Sequence, residues 1–229
     1  VYNEERTLER VAEALVATLP ESEIVYVNDG SKDRSLEILK RVARPQDKVI
    51  TKENGGKGSA IRLGLQHTSA PLVVIQDADL EYDPADIVRL LDFAEKHPGI
   101  GVYGSRFLEK NPNIYPLYLL GNKVLTWWIN LLFGAKLTDS YTCLKLLPRE
   151  IFQSLPLKAN GFELETELCA YPLLAGIRIE ELPVSYRPRT FEEGKKICWK
   201  DAVRGALTAL KIRWNGRRKL ESAAARKSA

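Results

Sequence analysis

The sequence predicts an α/β fold, a mostly parallel central sheet with helices on both faces. Three observations carry this expectation. Short apolar runs (Ile24-Val-Tyr-Val27, Val49-Ile50, Leu72-Val-Val-Ile75 and Gly99 to Tyr103) alternate with longer stretches whose apolar residues recur at helical spacing. The stretches between runs are long enough for helical crossovers, which parallel strands require. Acidic and glycine-rich segments follow the runs, at the carboxyl edge where such sheets meet their ligands.

Taken in order, Asn3 is placed to cap a helix carrying Leu8, Val11, Leu15 and Leu19, which Pro20 ends. Strand Ile24–Val27 runs into Asn28-Asp-Gly-Ser31, with Ser31 capping a helix that bears Leu36, Ile38, Leu39 and Val42. The weaker strand Val49-Ile50 is followed by Asn54-Gly-Gly-Lys-Gly58 and a helix from Ser59 to Gln66. Leu72–Ile75 leads into an acidic segment, and a helix runs from Pro84 to Lys96. Gly99–Tyr103 closes with Gly104-Ser-Arg106. Beyond Pro112 the text changes: an aromatic-rich helical segment from Ile114 to Gly134, a polar loop, a short element near Pro148, a helix to Ala175, a strand from Ile177 to Val184 and a polar loop from Arg187 to Lys196. A last helix, Trp199 to Trp214, carries Val203, Leu207, Leu210 and Trp214 on one face with Lys200, Arg204 and Lys211 off it. We expect one domain over residues 1–214, with halves 1–110 and 111–214, and a disordered basic tail over 215–229.

The 229 residues, 45% hydrophobic, suffice for a substantial core and exclude a disordered or fibrous class. Net charge is +4, with the excess concentrated from Lys195 onward. Such an end suits an anionic membrane surface or a nucleic acid, but no base-reading motif accompanies it, so nucleic acid is the less favoured partner. The cysteines, Cys143, Cys169 and Cys198, follow no metal-ligand spacing and read as reduced thiols of a cytoplasmic protein. No signal peptide is recognisable, and Val1-Tyr-Asn-Glu4 reads as the exit of a strand whose body lies upstream in a longer protein. The longest apolar run, Pro116 to Phe133, is interrupted by Asn122, Lys123 and Asn130, which argues against a membrane span.

Asp77 and Asp79, in Gln76-Asp-Ala-Asp-Leu-Glu81, put two carboxylates on one side of an extended backbone. Their mutual repulsion invites a hard divalent cation, which takes one or two carboxylates and completes its shell with water and phosphate oxygens. The alternative is a solvated acidic turn before a helix. Asp29 can accept from a nucleobase or a ribose, or simply form an Asp-Gly turn. The Asn54–Gly58 loop can cradle phosphate with backbone N–H groups, Lys57 adding a point charge, although it lacks the Walker A pattern.

The ordered set is more specific than any member. Tyr2-Asn-Glu4, Val27-Asn-Asp-Gly-Ser31, Asn54-Gly-Gly-Lys-Gly58, Gln76-Asp-Ala-Asp-Leu-Glu81 and Gly104-Ser-Arg106 resemble the motifs of family 2 glycosyltransferases of the GT-A fold, which is Rossmann-like. In the second half, Asp139-x-x-Thr142-Cys-x-Lys145, Gly161-Phe-Glu-x-Glu165 and Arg189-Thr-x-Glu-Glu-Gly-Lys-Lys196 resemble the subgroup similar to dolichyl-phosphate mannose synthase and bacterial polyprenyl-phosphate sugar synthases. The resemblance spans residues 1–214. It implies an inverting, metal-dependent transfer of a hexose from a GDP- or UDP-sugar to a polyprenyl or dolichyl phosphate, with residues 1–110 binding the donor and 111–214 the acceptor.

By the same resemblance, Tyr2, Asn3, Glu4 and Asp29 lie at the base and ribose. Asp77 lies beside ribose and metal, Asp79 ligates Mg²⁺ or Mn²⁺, and Glu81 stands near the metal. Arg106 and Arg189 hold phosphate, with Lys57, Lys145 and Lys195 as further cations. Glu163 and Glu165 line the acceptor pocket. A lipid phosphate is already anionic and needs no strong base; were the acceptor a sugar hydroxyl, one of these glutamates would become the general base. Trp127-Trp128, Leu131, Leu132 and Phe133, with the last helix, suit a membrane interface, or else pack on the sheet. The enzyme is therefore expected as a peripheral protein on the cytoplasmic face, with a sugar-hydroxyl transferase and a non-catalytic nucleotide-sugar or lipid-binding module as the competing readings.

Overall fold

The computed structural model describes residues 1–111, 116–189 and 199–227. Two parallel strands, β1 (Val25–Asp29) and β2 (Lys48–Lys52), form one small sheet. A second sheet holds β3 (Leu72–Val74), β4 (Gly101–Ser105), β5 (Lys145–Pro148) and β6 (Ile179–Pro183) in the order β3-β5-β4-β6. β4 and β6 run parallel, whereas β5 enters antiparallel between β3 and β4. The short element expected near Pro148 is thus an interior strand, and it carries Lys145 into the middle of the sheet. Val1 extends the β1 side: its amino group donates to Val27 O and its carbonyl accepts from Asp29 N.

Helices α1 (Leu8–Thr18), α2 (Ser35–Val42), α3 (Lys57–His67) and α4 (Ala85–Lys96) follow the alternation read from the sequence. Their caps differ from expectation. Asn3 does not cap α1; its Oδ1 accepts from Lys32 N, and the Glu4 carbonyl takes the Thr7 and Leu8 N–H groups instead. Ser31 does not cap α2 either. Its hydroxyl accepts from Asn3 N, while Asp33 takes Ser35 N. Both side chains therefore lace the two loops at the carboxyl edge together.

The second half contributes α5 (Pro116–Phe133), α6 (Arg149–Ser154), α7 (Leu164–Leu174) and α8 (Trp199–Lys227). α8 corrects one expectation. It continues through Gly216 to Lys227, where a disordered tail was expected. Gly216 is buried at a close approach to α7, where an added Cβ would lie 2.5 Å from Leu174 Cδ2, and Leu220 packs on the core beyond it. The glycine serves helix packing rather than helix ending. Gly205, Ala209, Ile212 and Gly216 face inward, while Val203, Leu207 and Trp214 are exposed, so these three residues of the apolar face read from the sequence are turned outward.

Small residues let α8 lie close against its neighbours. A Cβ on Gly205 would fall 3.0 Å from Thr166 Oγ1 and would clash with the Tyr141 hydroxyl. Those two hydroxyls are themselves hydrogen-bonded at 2.9 Å, so neither moves alone. Gly205→Ala is expected to destabilise the fold by about 1–3 kcal/mol through overpacking, read as a lower urea midpoint with an unchanged m-value.

Candidate active site

A cavity of about 1670 Å³ runs from between β1 and β3 to the carboxyl edge of the sheets and on toward α5 and α8. Tyr2, Glu4, Asp29, Lys57, Asp77, Asp79, Glu81, Arg106, Glu165 and Arg189 all line it. Of the other candidates, Asn3 binds the neighbouring loop, Lys145 lies beneath the wall, and Lys195 lies outside the described residues.

The acid segment after β3 is shaped by Leu80, a non-glycine residue at φ 61°. Such backbone is costly for a residue of this kind and is retained where the surroundings impose it. Here Leu80 packs against the apolar cluster under α4, and the turn holds Asp79 and Glu81 in place, Glu81 N donating to Asp79 Oδ1 at 3.1 Å. Asp79 is 8% exposed. Burial, followed by the charges of Asp77 and Glu81, pushes its carboxyl up to about 7, more than Arg189 offsets. A carboxylate crowded in this way gains from a nearby cation.

Internal cations already meet these acids. Lys57, at the start of α3, bridges Asp77 at 2.8 Å and Glu165 at 2.9 Å. Lys145, wholly buried, holds the other oxygen of Glu165 and the Thr142 carbonyl. The result is an alternating chain of charge from the cavity into the protein: Asp77, Lys57, Glu165, Lys145. Burial would raise the Glu165 carboxyl, but Lys145 and Lys57 outweigh it and hold it below its ordinary value. With both oxygens engaged by lysines, Glu165 is an anchor for Lys57.

On the opposite side, Arg189 Nη2 donates to Asp79 Oδ2 at 2.7 Å and Nη1 to Glu4 at 3.0 Å. Glu81 secures that segment. Its carboxylate accepts from Arg189 N at 2.8 Å and from the Tyr186 hydroxyl at 3.2 Å, and its carbonyl accepts from Arg187 N. Arg106 is largely buried and clamped in bidentate fashion by Asp139 at 2.7 and 2.8 Å, with its guanidinium 4.9 Å from the Tyr186 ring centroid. Glu181 fixes the clamp by accepting from Thr138 and Asp139 N–H groups. Asp139, Glu181 and Tyr186 were not assigned roles from sequence; only the first lay in a recognisable motif, and its partner is remote along the chain.

Two expected roles change on geometry. Asp29 is buried, with its carboxylate held by Lys52 Nζ, Gly55 N and Gly56 N at 2.7, 3.0 and 2.8 Å, so it shapes the glycine loop. The loop's backbone does not form an open phosphate cradle: Gly55 and Gly56 donate to Asp29 and Gly58 N donates to Asn160 O. A Cβ on Gly58 would overlap the Ala159 carbonyl, which is why that packing admits only glycine.

Among the described residues no group of three or more histidine, cysteine or acidic side chains forms a metal cage. Asp77 and Asp79, crowded together with Glu81, are the carboxylates that would suit a hard divalent cation, whose charge would relieve that crowding. Glu81, engaged on both oxygens, is less suited to ligation than expected.

The sequence model described as glycosyl transferase family 2 matches residues 1–153. The chain belongs to this family. It is 30% identical over 192 residues to dolichyl-phosphate hexose transferase of Haloferax volcanii, covering 83% of this chain and 82% of the relative. It is likewise 31% identical over 208 residues to undecaprenyl-phosphate 4-deoxy-4-formamido-L-arabinose transferase of Edwardsiella ictaluri, covering 85% of this chain and 60% of the relative. The chain spans about half the length of several curated relatives, 54% and 55% in two cases. Glucosyl-3-phosphoglycerate synthase of Mycobacterium tuberculosis, solved with UDP, superposes with a TM-score of 0.71 at 20% identity, covering 93% of this chain and 77% of that one. The likeness shows the GT-A fold. A second structure of that enzyme, with a TM-score of 0.69 at 22% identity, contains Mn²⁺, UDP-glucose and phosphoglyceric acid, and covers 93% of this chain and 76% of that one.

The anchoring of Lys57 makes a stability prediction. Because the Glu165 carboxyl is held low, its contribution is present above the ordinary value of 4.5 and is lost as pH falls through the lower folded value. Glu165→Gln leaves Lys145 buried without its counter-charge and is expected to cost about 3–5 kcal/mol at neutral pH. Urea unfolding between pH 3 and pH 7 checks this: the difference from the unmutated protein should shrink toward the acid end.

Proposed function

We propose that this family 2 glycosyltransferase moves a hexose from a nucleoside diphosphate sugar, GDP- or UDP-linked, to a polyprenyl or dolichyl phosphate at a membrane surface. The observation that carries the reading is a single cavity that joins the acid segment and its paired cations to an apolar wall. Leu120, Val124 and Leu125 of α5 and Val203 and Ala206 of α8 line the same space as Asp77, Asp79 and Lys57. An acceptor with a charged head and a hydrocarbon tail needs that combination. The polyprenyl-phosphate and dolichyl-phosphate relatives favour it.

In this reading Asp77 and Asp79 hold Mg²⁺ or Mn²⁺, which, when bound, neutralises the charge growing on the leaving diphosphate. Lys57, fixed by Glu165, presents a second positive charge to the same side. The acceptor phosphate oxygen forms the bond to the anomeric carbon, the bond from that carbon to the diphosphate oxygen breaks, and its electron pair leaves on the nucleoside diphosphate. The anomeric centre inverts. No protein base is required, consistent with the engagement of both Glu165 oxygens by lysines. The same engagement weighs against a sugar-hydroxyl acceptor with Glu165 as base.

Turnover of GDP- and UDP-hexoses with polyprenyl phosphate, with and without Mn²⁺ or Mg²⁺, tests this. Glycosyl lipid should form only with metal, and Asp79→Asn should lower the rate by about 10²–10³-fold, the scale for losing one electrostatic contact to a developing charge. Donor hydrolysis without lipid product would point to another acceptor. Donor binding without turnover would indicate a non-catalytic module.

The membrane component rests on an exposed apolar stripe. Leu120, Val124, Trp127 and Leu131 of α5 are 59%, 53%, 61% and 60% exposed, and Trp214 of α8 is 78% exposed. Trp128 turns the other way and donates to Ala206 O, so the tandem tryptophans divide between packing and surface. No helix among the described residues is long and apolar enough to cross a bilayer. A stripe flanked by exposed Lys123, Lys200, Arg204 and Lys211 suits an anionic interface on one side. Replacing Trp127 and Leu131 together by Ser should weaken binding to anionic phosphatidylglycerol vesicles by at least about tenfold, from two lost side chains worth about 1.5–3 kcal/mol each when fully buried. Sedimentation with vesicles measures the loss, and unchanged circular dichroism shows that the fold is kept.

A further inference from the structure

Arg189 occupies an unusual position for a residue expected to bind acceptor phosphate. Its guanidinium points into the acid cluster, bonded to Asp79 Oδ2 at 2.7 Å and to the two oxygens of Glu4 at 3.2 and 3.0 Å. The side chain is 17% exposed. Its Nε is buried and has no hydrogen-bond partner among the described residues. A buried donor left unmatched is costly, so this arrangement neutralises the acids without satisfying the guanidinium completely. Asp79 is also one of the two carboxylates assigned to the divalent cation, and two cations crowded on one carboxylate repel each other.

The backbone around Arg189 is tethered independently of its side chain. Glu81 accepts from Arg189 N at 2.8 Å and its carbonyl from Arg187 N at 2.8 Å, and Tyr186 forms an isolated bridge with Tyr82. The main chain is thereby tethered beside the acid segment while the guanidinium retains its rotatable stem. A planar fork of donors matches a phosphate monoester as well as it matches a carboxylate.

We propose that Arg189 is the exchangeable counter-cation of the acid segment: binding of metal and nucleotide at Asp79 displaces its guanidinium, which then takes the acceptor phosphate. The inference rests on the lipid-phosphate transfer reading and adds an order to it. Before the donor arrives, Arg189 quenches the negative potential of Asp79 and Glu4 and is unavailable to the acceptor. Once metal supplies that charge, the released guanidinium offsets the repulsion an anionic acceptor would meet near these carboxylates. The two sites are then linked, and the linkage is reciprocal: metal and nucleotide tighten phosphate binding by the same factor by which phosphate tightens theirs.

Calorimetric titrations test the exchange without turnover, using MnCl₂ and farnesyl phosphate as probes and UDP or GDP as the nucleotide. Mn²⁺ alone should bind Arg189→Gln at least about fivefold more tightly than the unmutated protein. Mn²⁺ with nucleotide should raise farnesyl phosphate affinity of the unmutated protein by a factor within the usual range of about 5–150, and Arg189→Gln should lose this gain. Arg189→Lys, which keeps the charge without the fork, should retain weak Mn²⁺ binding and lose most of the gain. Equal Mn²⁺ affinity in the Arg189→Gln and unmutated proteins would overturn the proposal, as would a phosphate gain that survives Arg189→Gln, since the metal's own charge would then account for it. Both arms measure binding alone, so an intact linkage with no glycosyl lipid formed would reject the transfer reading and leave the exchange standing.

Discussion

Negative charge gathered at one end of the sheets is the constraint around which the rest of this chain is arranged. Glu4, Asp77, Asp79, Glu81 and Glu165 come from three separate segments and converge on one cavity. Carboxylates that close, partly removed from water, are tolerable only with positive partners. Lys57 and Lys145 supply them on the α7 side and Arg189 on the other. Each partner constrains more than its own charge. Lys145 must lie on an interior strand to reach Glu165, and Glu165 must lie on a buried turn of α7 to reach Lys57. The antiparallel entry of β5 is therefore part of the site's construction.

The legible part of the fold was that which depends on local pattern. Apolar runs of strand length, helical periodicity and the acid segment after β3 identify themselves, because period and side-chain chemistry act within a few residues. The first half was accordingly read nearly element by element. Caps were less legible: Asn3, Ser31 and Asp33 all suit helix starts, and tertiary contacts between the loops after Val1 and β1 decided among them. β5 escaped because Lys145-Leu-Leu-Pro148 has a charged residue and a proline in a four-residue strand, and nothing local reveals that the lysine's partner lies on α7.

The site divides in the same way. Its membership was legible, since most of the chosen residues share one cavity, but several roles were not. Asp29 appears in sequence as an open acceptor, yet its oxygens are occupied by the glycine loop more than twenty residues onward. Arg106 appears as a phosphate fork, yet Asp139 holds two of its nitrogens. Such pairings are long-range and cannot be deduced from side-chain type. α8 failed differently: a glycine at 216 reads as a stop by propensity, but packing against Leu174 and Tyr171 makes a small residue there favourable to helix docking.

Placing small residues inward on α8 also determines what faces outward. A helix packed through Gly205, Ala209 and Gly216, with Ile212 among them, lies close to α7 and the polar loop ahead of β5, and Val203, Leu207 and Trp214 are left on the opposite side. The exposed residues of α5 add Leu120, Val124, Trp127 and Leu131 to Val203, Leu207 and Trp214 of α8. A scattered leucine on a surface requires no explanation, but two packed helices both presenting large side chains to water form a surface that favours an apolar partner. Leu120, Val124 and Val203 belong at once to that surface and to the cavity wall. The cavity is therefore continuous from that apolar surface to its charged end. One packing choice, small residues on the buried face of α8, thus links the apolar surface to the crowded carboxylates that the internal cations hold.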